Sequence, residues 1–259
     1  MPIQPLTLVD LAIALGMVIM AIGLSIWQRL DLAWNLVVAS GRTIIQLLVV
    51  GVLLAAVFQI QSPWLVVGIL VAMLVVAAIT ARNRISPTMP RLVLIVILSM
   101  LTSTVLTLLY TITLVVRSQP WYSPQYLIPL GGIVLGNAMN AAAIAGEHLV
   151  NQLQSSRLDI ETHLSLGATA HQATITYRRE AVRASMIPMI NTMTVVGLVT
   201  LPSTITGQLL GGISPLDAAA YQMLIMFMLA LANLVTALLV TMGIQRQWFN
   251  AAEQLTNRC

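Results

Sequence analysis

The residues of this chain whose side chains could bind ions or substrates are a few polar residues set within long apolar runs. Glu147 and His148 are adjacent, and a carboxylate beside an imidazole could weakly hold a metal ion. Arg42 and Gln46 are four residues apart, which places a guanidinium and an amide on one face of a helix. No His-x-x-x-His pair accompanies them. The metal site therefore stays unassigned, with Glu147 and His148 as weak candidates.

Motifs of the common hydrolases and nucleotide-binding enzymes are missing from the sequence. It contains no His-Glu-x-x-His, no Gly-x-Ser-x-Gly and no Gly-x-x-x-x-Gly-Lys-Ser/Thr. The last motif is impossible because the chain has no lysine. These absences count against an enzyme built on such a motif, so we expect no catalytic residue and no cofactor in this chain.

The composition is that of an integral membrane protein. Of 259 residues, 58% are hydrophobic and only 8% are charged, whereas a soluble domain carries roughly 25% charged residues. The single cysteine, Cys259, excludes an internal disulfide and a metal site built from several cysteines. The low charged fraction also excludes a water-soluble catalytic domain.

The predicted fold is an all-α polytopic membrane protein, with one transmembrane domain over residues 1–259. A span needs about 20 apolar residues, and the sequence offers seven such runs. They cover approximately 6–28, 35–58, 63–81, 92–116, 126–149, 185–209 and 216–243. Span 6 contains Pro188, Gly197, Pro202 and Gly207, so we expect it to be kinked or broken.

The arginines predict the orientation of the chain. Ten of the twelve basic residues follow odd-numbered spans, Arg117 alone follows an even-numbered span, and Arg42 lies inside span 2. Since cytoplasmic connections are enriched in basic residues, the amino terminus is predicted outside and the carboxyl terminus in the cytoplasm. The predicted location is the plasma membrane, the inner membrane of a bacterium.

The long cytoplasmic connection, residues 150–184, is predicted to form two helices separated by a glycine. Asp159 can cap a short helix over 160–166, and Gly167 can take the left-handed conformation that ends it. Thr169 is a second possible cap, for a helix that runs on into span 6. Two interpretations stay open: an interfacial helix lying on anionic lipid, and a docking element for a cytoplasmic partner.

The run from Glu161 to Ala168 resembles the Glu-Ala-Ala-x-x-x-Gly element of ABC-transporter permeases, which seats in a groove of the ATPase. A closer resemblance is to the FetB family of iron-export permeases, to which plant aluminium-tolerance permeases are related. The stretches that carry it are 41–47, 128–139, 164–169 and 183–222, the last including Val196–Pro202 and Pro215–Ala219.

This resemblance implies a permease subunit that exports iron or another metal, powered by a separate cytoplasmic ABC ATPase that binds ATP-Mg. It implies that Glu161, Leu164, Gly167 and Ala168 contact that ATPase. Two permease copies are expected to pair, since symmetric dimers are common. The alternatives are an unpowered channel or secondary carrier, an ABC permease for a non-metal substrate such as a nucleotide sugar, and a membrane enzyme or scaffold.

Polar residues within the spans are candidates for the substrate pathway. A charge at the bilayer centre costs about 2.5–3.5 kcal/mol on insertion scales, so Arg42 either pairs with Glu147 inside the bundle or extends to the headgroups. Asn137 and Asn140 either bond neighbouring helices or line the pathway. The full candidate set is Arg42, Gln46, Asn137, Asn140, Glu147, Asn191, Pro202 and Gln208. The methionines of spans 6 and 7 are interpreted as packing.

Overall fold

The computed structural model describes residues 7–60, 62–87, 89, 91–117, 120–250 and 254–255. Over these residues the chain forms nine α-helices, one π-helical segment and two isolated bridges, which confirms the all-α prediction. The helices are α1 (Leu8–Trp27), α2 (Ala33–Ile60), α3 (Pro63–Ile85), α4 (Leu92–Tyr110), α5 (Pro124–Ser155), α6 (Arg157–Ser165), α7 (Ala170–Val195), α8 (Ser203–Leu210) and α9 (Pro215–Trp248). The π-helical segment, Thr111–Val116, continues α4.

Six helical stretches of the described residues are long and apolar enough to cross a membrane: α1, α2, α3, α4 with its π-helical extension, α5 and α9. They correspond to six of the seven predicted spans. The sixth predicted span is divided, because α7 ends at Val195 and α8 begins at Ser203. Gly197 has a φ of +82° at this break. Pro188 lies inside α7 and Gly207 inside α8, so neither residue interrupts its helix.

The chain divides into two compact units, one comprising Met1–Ser62 with Leu210–Gly212 and the other comprising the remaining residues. In the first unit α1 packs against α2. Thr7 caps α1, since its hydroxyl accepts the Asp10 N–H at 3.3 Å while the Asp10 carboxylate accepts the Thr7 N–H at 2.8 Å. Both helices leave most of their apolar surface exposed within one chain.

In the second unit α5 and α9 are central, since α5 contacts α3, α4, α7 and α9, and α9 contacts α4 and α7. The middle of the buried side of α5, residues 138–146, is made of small residues that let neighbouring helices approach closely. At Gly146 an added Cβ would lie 2.5 Å from Ile85 Cδ1 of α3. The buried alanines of α5 are Ala138, Ala141, Ala142, Ala143 and Ala145.

The connection predicted to be cytoplasmic differs from the prediction at one cap. Residues up to Ser155 still belong to α5, and the residue before α6 is Ser156, so Asp159 lies in the first turn and does not cap the helix. The prediction of Asp159 as the cap was wrong because α6 follows α5 almost directly and begins earlier. Gly167 has the predicted left-handed conformation, with a φ of +91°. Thr169 caps α7 as predicted, in a reciprocal pair with Gln172.

The predicted orientation can be tested at two leucines that are equally accessible. Leu158 is 82% exposed at the second residue of α6, and Leu216 is 84% exposed at the second residue of α9. In a Cys259→Ser background, Leu216→Cys should react with a membrane-impermeant thiol reagent in intact cells. Leu158→Cys should react only after permeabilisation. The reverse labelling pattern would invert the topology.

Candidate functional site

The α6 helix presents an exposed face with two large apolar side chains. Leu158 is 82% exposed and Leu166, just beyond the helix, is 80% exposed. Between them Glu161 is also exposed, and its carboxylate forms an ion pair with Arg157 at 2.9 Å. We call Leu158, Glu161, Leu166 and Gly167 the docking face. Exposed apolar groups beside an ion pair are typical of a surface that meets another molecule.

The opposite side of α6 is anchored to the protein. Ile160 is fully buried, and Leu164 is half-buried against the core. The Tyr177 hydroxyl of α7 donates a hydrogen bond to Asp159 Oδ2 at 2.5 Å, and this bond raises the pKa of Tyr177. Among the residues assigned to ATPase contact, Glu161 and Gly167 are therefore exposed, Ala168 is half-buried, and Leu164 faces inward.

Side-chain hydrogen bonds tie the start of α7 to α9 and α5. Arg178 Nη1 donates to Gln245 Oε1 at 3.0 Å, and Gln245 Nε2 donates to Thr174 Oγ1 at 2.8 Å. Gln152 of α5 donates to Glu180 of α7 at 2.6 Å. These contacts join the segment after Gly167 to the two central helices, α5 and α9.

Arg42 and Glu147, the two charged pathway candidates, belong to different compact units. Arg42 and Gln46 lie on α2 in the first unit, and both are exposed within one chain. Glu147 lies on α5 in the second unit and is exposed, and His148 is half-buried. The Arg42–Glu147 pair stays a prediction.

The remaining candidates lie on α7, on α5 and around α8. Asn191 is exposed on α7, while Pro202 and Gln208 are half-buried before and within α8. Asn137 and Asn140 both line a cavity of about 100 Å³ between α5, α7 and α9. Over the residues that the structure describes, no three His, Cys, Asp or Glu side chains cluster in a metal-binding arrangement.

Two buried amides of α9 were missed by the sequence analysis. Asn233 is 5% exposed and lines the same cavity as Asn137, and Gln222 is 5% exposed and accepts a hydrogen bond from the Thr204 hydroxyl of α8. The signal that could have found them is the one that singled out Asn137, namely an amide inside an apolar span. It was not applied to span 7.

Comparison with known proteins assigns the family. The profile of a family described as "Uncharacterised protein family (UPF0014)" matches residues 8–249. The chain belongs to the UPF0014 family. Since its members are named as membrane proteins, and six helices of this chain can cross a bilayer, it is a multi-pass membrane protein.

The UPF0014 relatives align along nearly their whole length. A UPF0014 membrane protein of Synechocystis is 49% identical over 95% of both chains. Protein ALUMINUM SENSITIVE 3 of Arabidopsis thaliana is 34% identical, covering 94% of this chain and 88% of its own. The probable iron export permease protein FetB of Escherichia coli is 30% identical, covering 95% and 93%. No solved structure matches the chain. The resemblance to the FetB family is confirmed.

The contact between α7 and α9 should contribute measurably to stability. Arg178→Ala removes a hydrogen bond from a charged group and strands Gln245 Oε1, so the free energy of unfolding should fall by about 1–3 kcal/mol. Arg179→Ala is the matched control, because Arg179 is the exposed neighbour on the same helix. Denaturant titration in detergent measures both variants. An equal loss of unfolding free energy in both variants would contradict a specific stabilising role for the Arg178–Gln245 hydrogen bond.

Gly167 should tolerate asparagine better than valine. Nothing lies within 4 Å of an added Cβ, so only the backbone strain of a left-handed conformation, about 1–3 kcal/mol, separates the variants. Gly167→Val should speed protease cleavage between α6 and α7, and Gly167→Asn should stay near wild type. Gly68→Val, in open helical surroundings, is the control. Wild-type cleavage of Gly167→Val would contradict this account.

Proposed function

We propose that the chain is the membrane-spanning permease subunit of an ABC transporter that exports iron or another metal. ATP-Mg binds to a separate cytoplasmic ATPase subunit, and two permease copies pair within the plasma membrane. The observation that carries the proposal is the docking face. It is an exposed apolar surface on a short helix, closed by a glycine and joined directly to a long helix of the bundle.

The connection from the docking face to α7 supports a coupling role. Gly167 ends α6, and after the Thr169 cap α7 continues for 26 residues, long enough to extend about 39 Å. Its first turns are bonded to α5 and α9. Closure of two ATPase subunits would push on α6, and the bonded segment would move with it. Alternating access of the bundle is the expected result.

The relatives supply the proposed substrate and direction. The Escherichia coli relative is named a probable iron export permease, and the Arabidopsis relative is named for aluminium sensitivity. Both names concern metals, so we carry metal export to this chain as part of the proposal. The exposed apolar surface of α1 and α2 supports pairing of two permeases, since it is available to a second copy.

Three alternatives make different predictions. An unpowered channel or secondary carrier would move substrate without ATP. An ABC permease for a nucleotide sugar would need the ATPase but would not transport metal. A helix that only rests on lipid would use Leu158 and Leu166 as anchors in the headgroup region and would bind no ATPase.

The test is co-purification and transport with each candidate ABC ATPase subunit encoded in the same genome. The permease should retain one of them, and the pair should drive ATP-dependent uptake of Fe²⁺ into inside-out vesicles. Leu158→Asp combined with Leu166→Asp should reduce both ATPase retention and uptake by about tenfold or more, because charges in an apolar contact are left desolvated.

Leu216→Asp is the matched control for that experiment, because Leu216 is 84% exposed at the opposite end of the bundle. It should leave ATPase retention unchanged. Full retention and transport by the Leu158/Leu166 variant would return α6 to the lipid-surface interpretation. Fe²⁺ uptake without ATP or ATPase would favour the unpowered carrier.

A further inference from the structure

The cavity between α5, α7 and α9 has a lining that is polar but uncharged. Its volume of about 100 Å³ is room for roughly three water molecules at about 30 Å³ each. It lies beside Asn233, near the middle of the long helix α9. We call it the amide cavity, and it is lined by Asn137, Asn140, Ala141, Ile144, Ser185, Pro188, Met189, Thr192 and Asn233.

Three of the lining side chains already donate hydrogen bonds to carbonyls of their own helices. Asn137 Nδ2 donates to the carbonyl four residues earlier at 2.9 Å. The Ser185 and Thr192 hydroxyls donate to carbonyls three and four residues earlier, at 2.7 and 2.9 Å. Each group keeps oxygen lone pairs that these bonds do not use. These three groups therefore keep more acceptor than donor capacity.

Asn233 adds an oxygen that has no partner. The side chain is 5% exposed, and its Oδ1 is buried without a hydrogen bond. Leaving a buried acceptor unsatisfied costs about 1–3 kcal/mol, which an occupant of the cavity would relieve. The occupant must offer positive charge or hydrogen-bond donors to this oxygen.

The carboxyl end of α7 also favours an occupant that carries positive charge or hydrogen-bond donors. Thr192 lies in the last turn of α7, and the carboxyl end of a helix carries a partial negative charge. Pro188, also in the lining, lacks the N–H that the carbonyl of Ala184 would otherwise accept. Helix carboxyl ends and freed carbonyls are groups that coordinate cations within membranes.

We propose that the amide cavity binds a metal cation that keeps part of its water shell, as the cargo site of the transporter. Its identification as cargo rests on the proposed function. The ligands are neutral oxygens of Asn137, Asn233, Ser185 and Thr192, with the polarizable thioether of Met189 beside them. Because no carboxylate lines the site, the cation is held weakly, as transport requires of a cargo released in every cycle.

The test measures binding on the full-length permease in lipid nanodiscs, without an ATPase. Mn²⁺ is titrated by electron paramagnetic resonance and Tl⁺, as a monovalent probe, by thallium NMR. Wild type should bind at least one of them, and Asn233→Leu should weaken that binding by about tenfold or more. Asn151→Leu is the matched control, since Asn151 is exposed on α5 and does not line the cavity. It should bind as wild type does.

A second variant guards against misfolding of Asn233→Leu. Asn233→Asp keeps the oxygen and adds charge, so at pH 8 it should bind Mn²⁺ more tightly than Asn233→Leu. The proposal is overturned if wild type binds neither cation, if Asn233→Leu binds like wild type, or if Asn151→Leu loses as much affinity. An Asn233→Asp variant no tighter than Asn233→Leu would overturn it too.

The binding assay fails independently of the transport assay. If the permease binds a cation through Asn233 but retains no ATPase in the co-purification assay, the site stands and the ABC transporter is refuted. An ATPase-coupled permease that binds neither cation would keep the proposed function and refute the site.

Discussion

The hydrocarbon interior of a bilayer offers no hydrogen bond to a peptide group, and the fold of this chain obeys that constraint even where a helix stops. In the interrupted sixth span the Val195 carbonyl accepts the N–H groups of residues 198, 199 and 200 at 3.2, 3.0 and 3.3 Å. The Gly197 N–H donates to the Thr200 carbonyl at 3.0 Å. The N–H groups of residues 197–200 thus find acceptors within the turn itself.

Polar side chains obey the same rule, and their pairing organises the bundle. Ser103 of α4 accepts the Thr236 hydroxyl of α9 at 2.6 Å, where both are buried. Near its carboxyl end α9 is bonded to α7 through Gln245, and near its amino end to α8 through Gln222. One helix therefore connects the segment behind the docking face with the far side of the interrupted span. The amide cavity, with its unpaired Asn233 oxygen, is the exception that points to an occupant.

The sequence predicted the spans well because apolar length is set by bilayer thickness and needs no tertiary information. It also predicted the left-handed Gly167 and the Thr169 cap, since both are local. The cap at Asp159 was wrong because α5 runs on to Ser155 and α6 begins at Arg157, which places Asp159 inside the first turn. Asn233 was missed because amides were not sought within span 7, and the residues that line a cavity with it come from α5 and α7.

The π-helical segment after α4 has a consequence for the evolution of the chain. Within it the Arg117 N–H bonds to the Ile112 carbonyl, five residues back, at 2.9 Å, whereas an α-helix bonds four residues back. Such a segment holds one residue more per turn than its flanks. A relative lacking one residue there would close an ordinary α-helical turn and leave the register of α4 unchanged. Residues 111–116 are thus a natural position for a one-residue gap in alignments of this family.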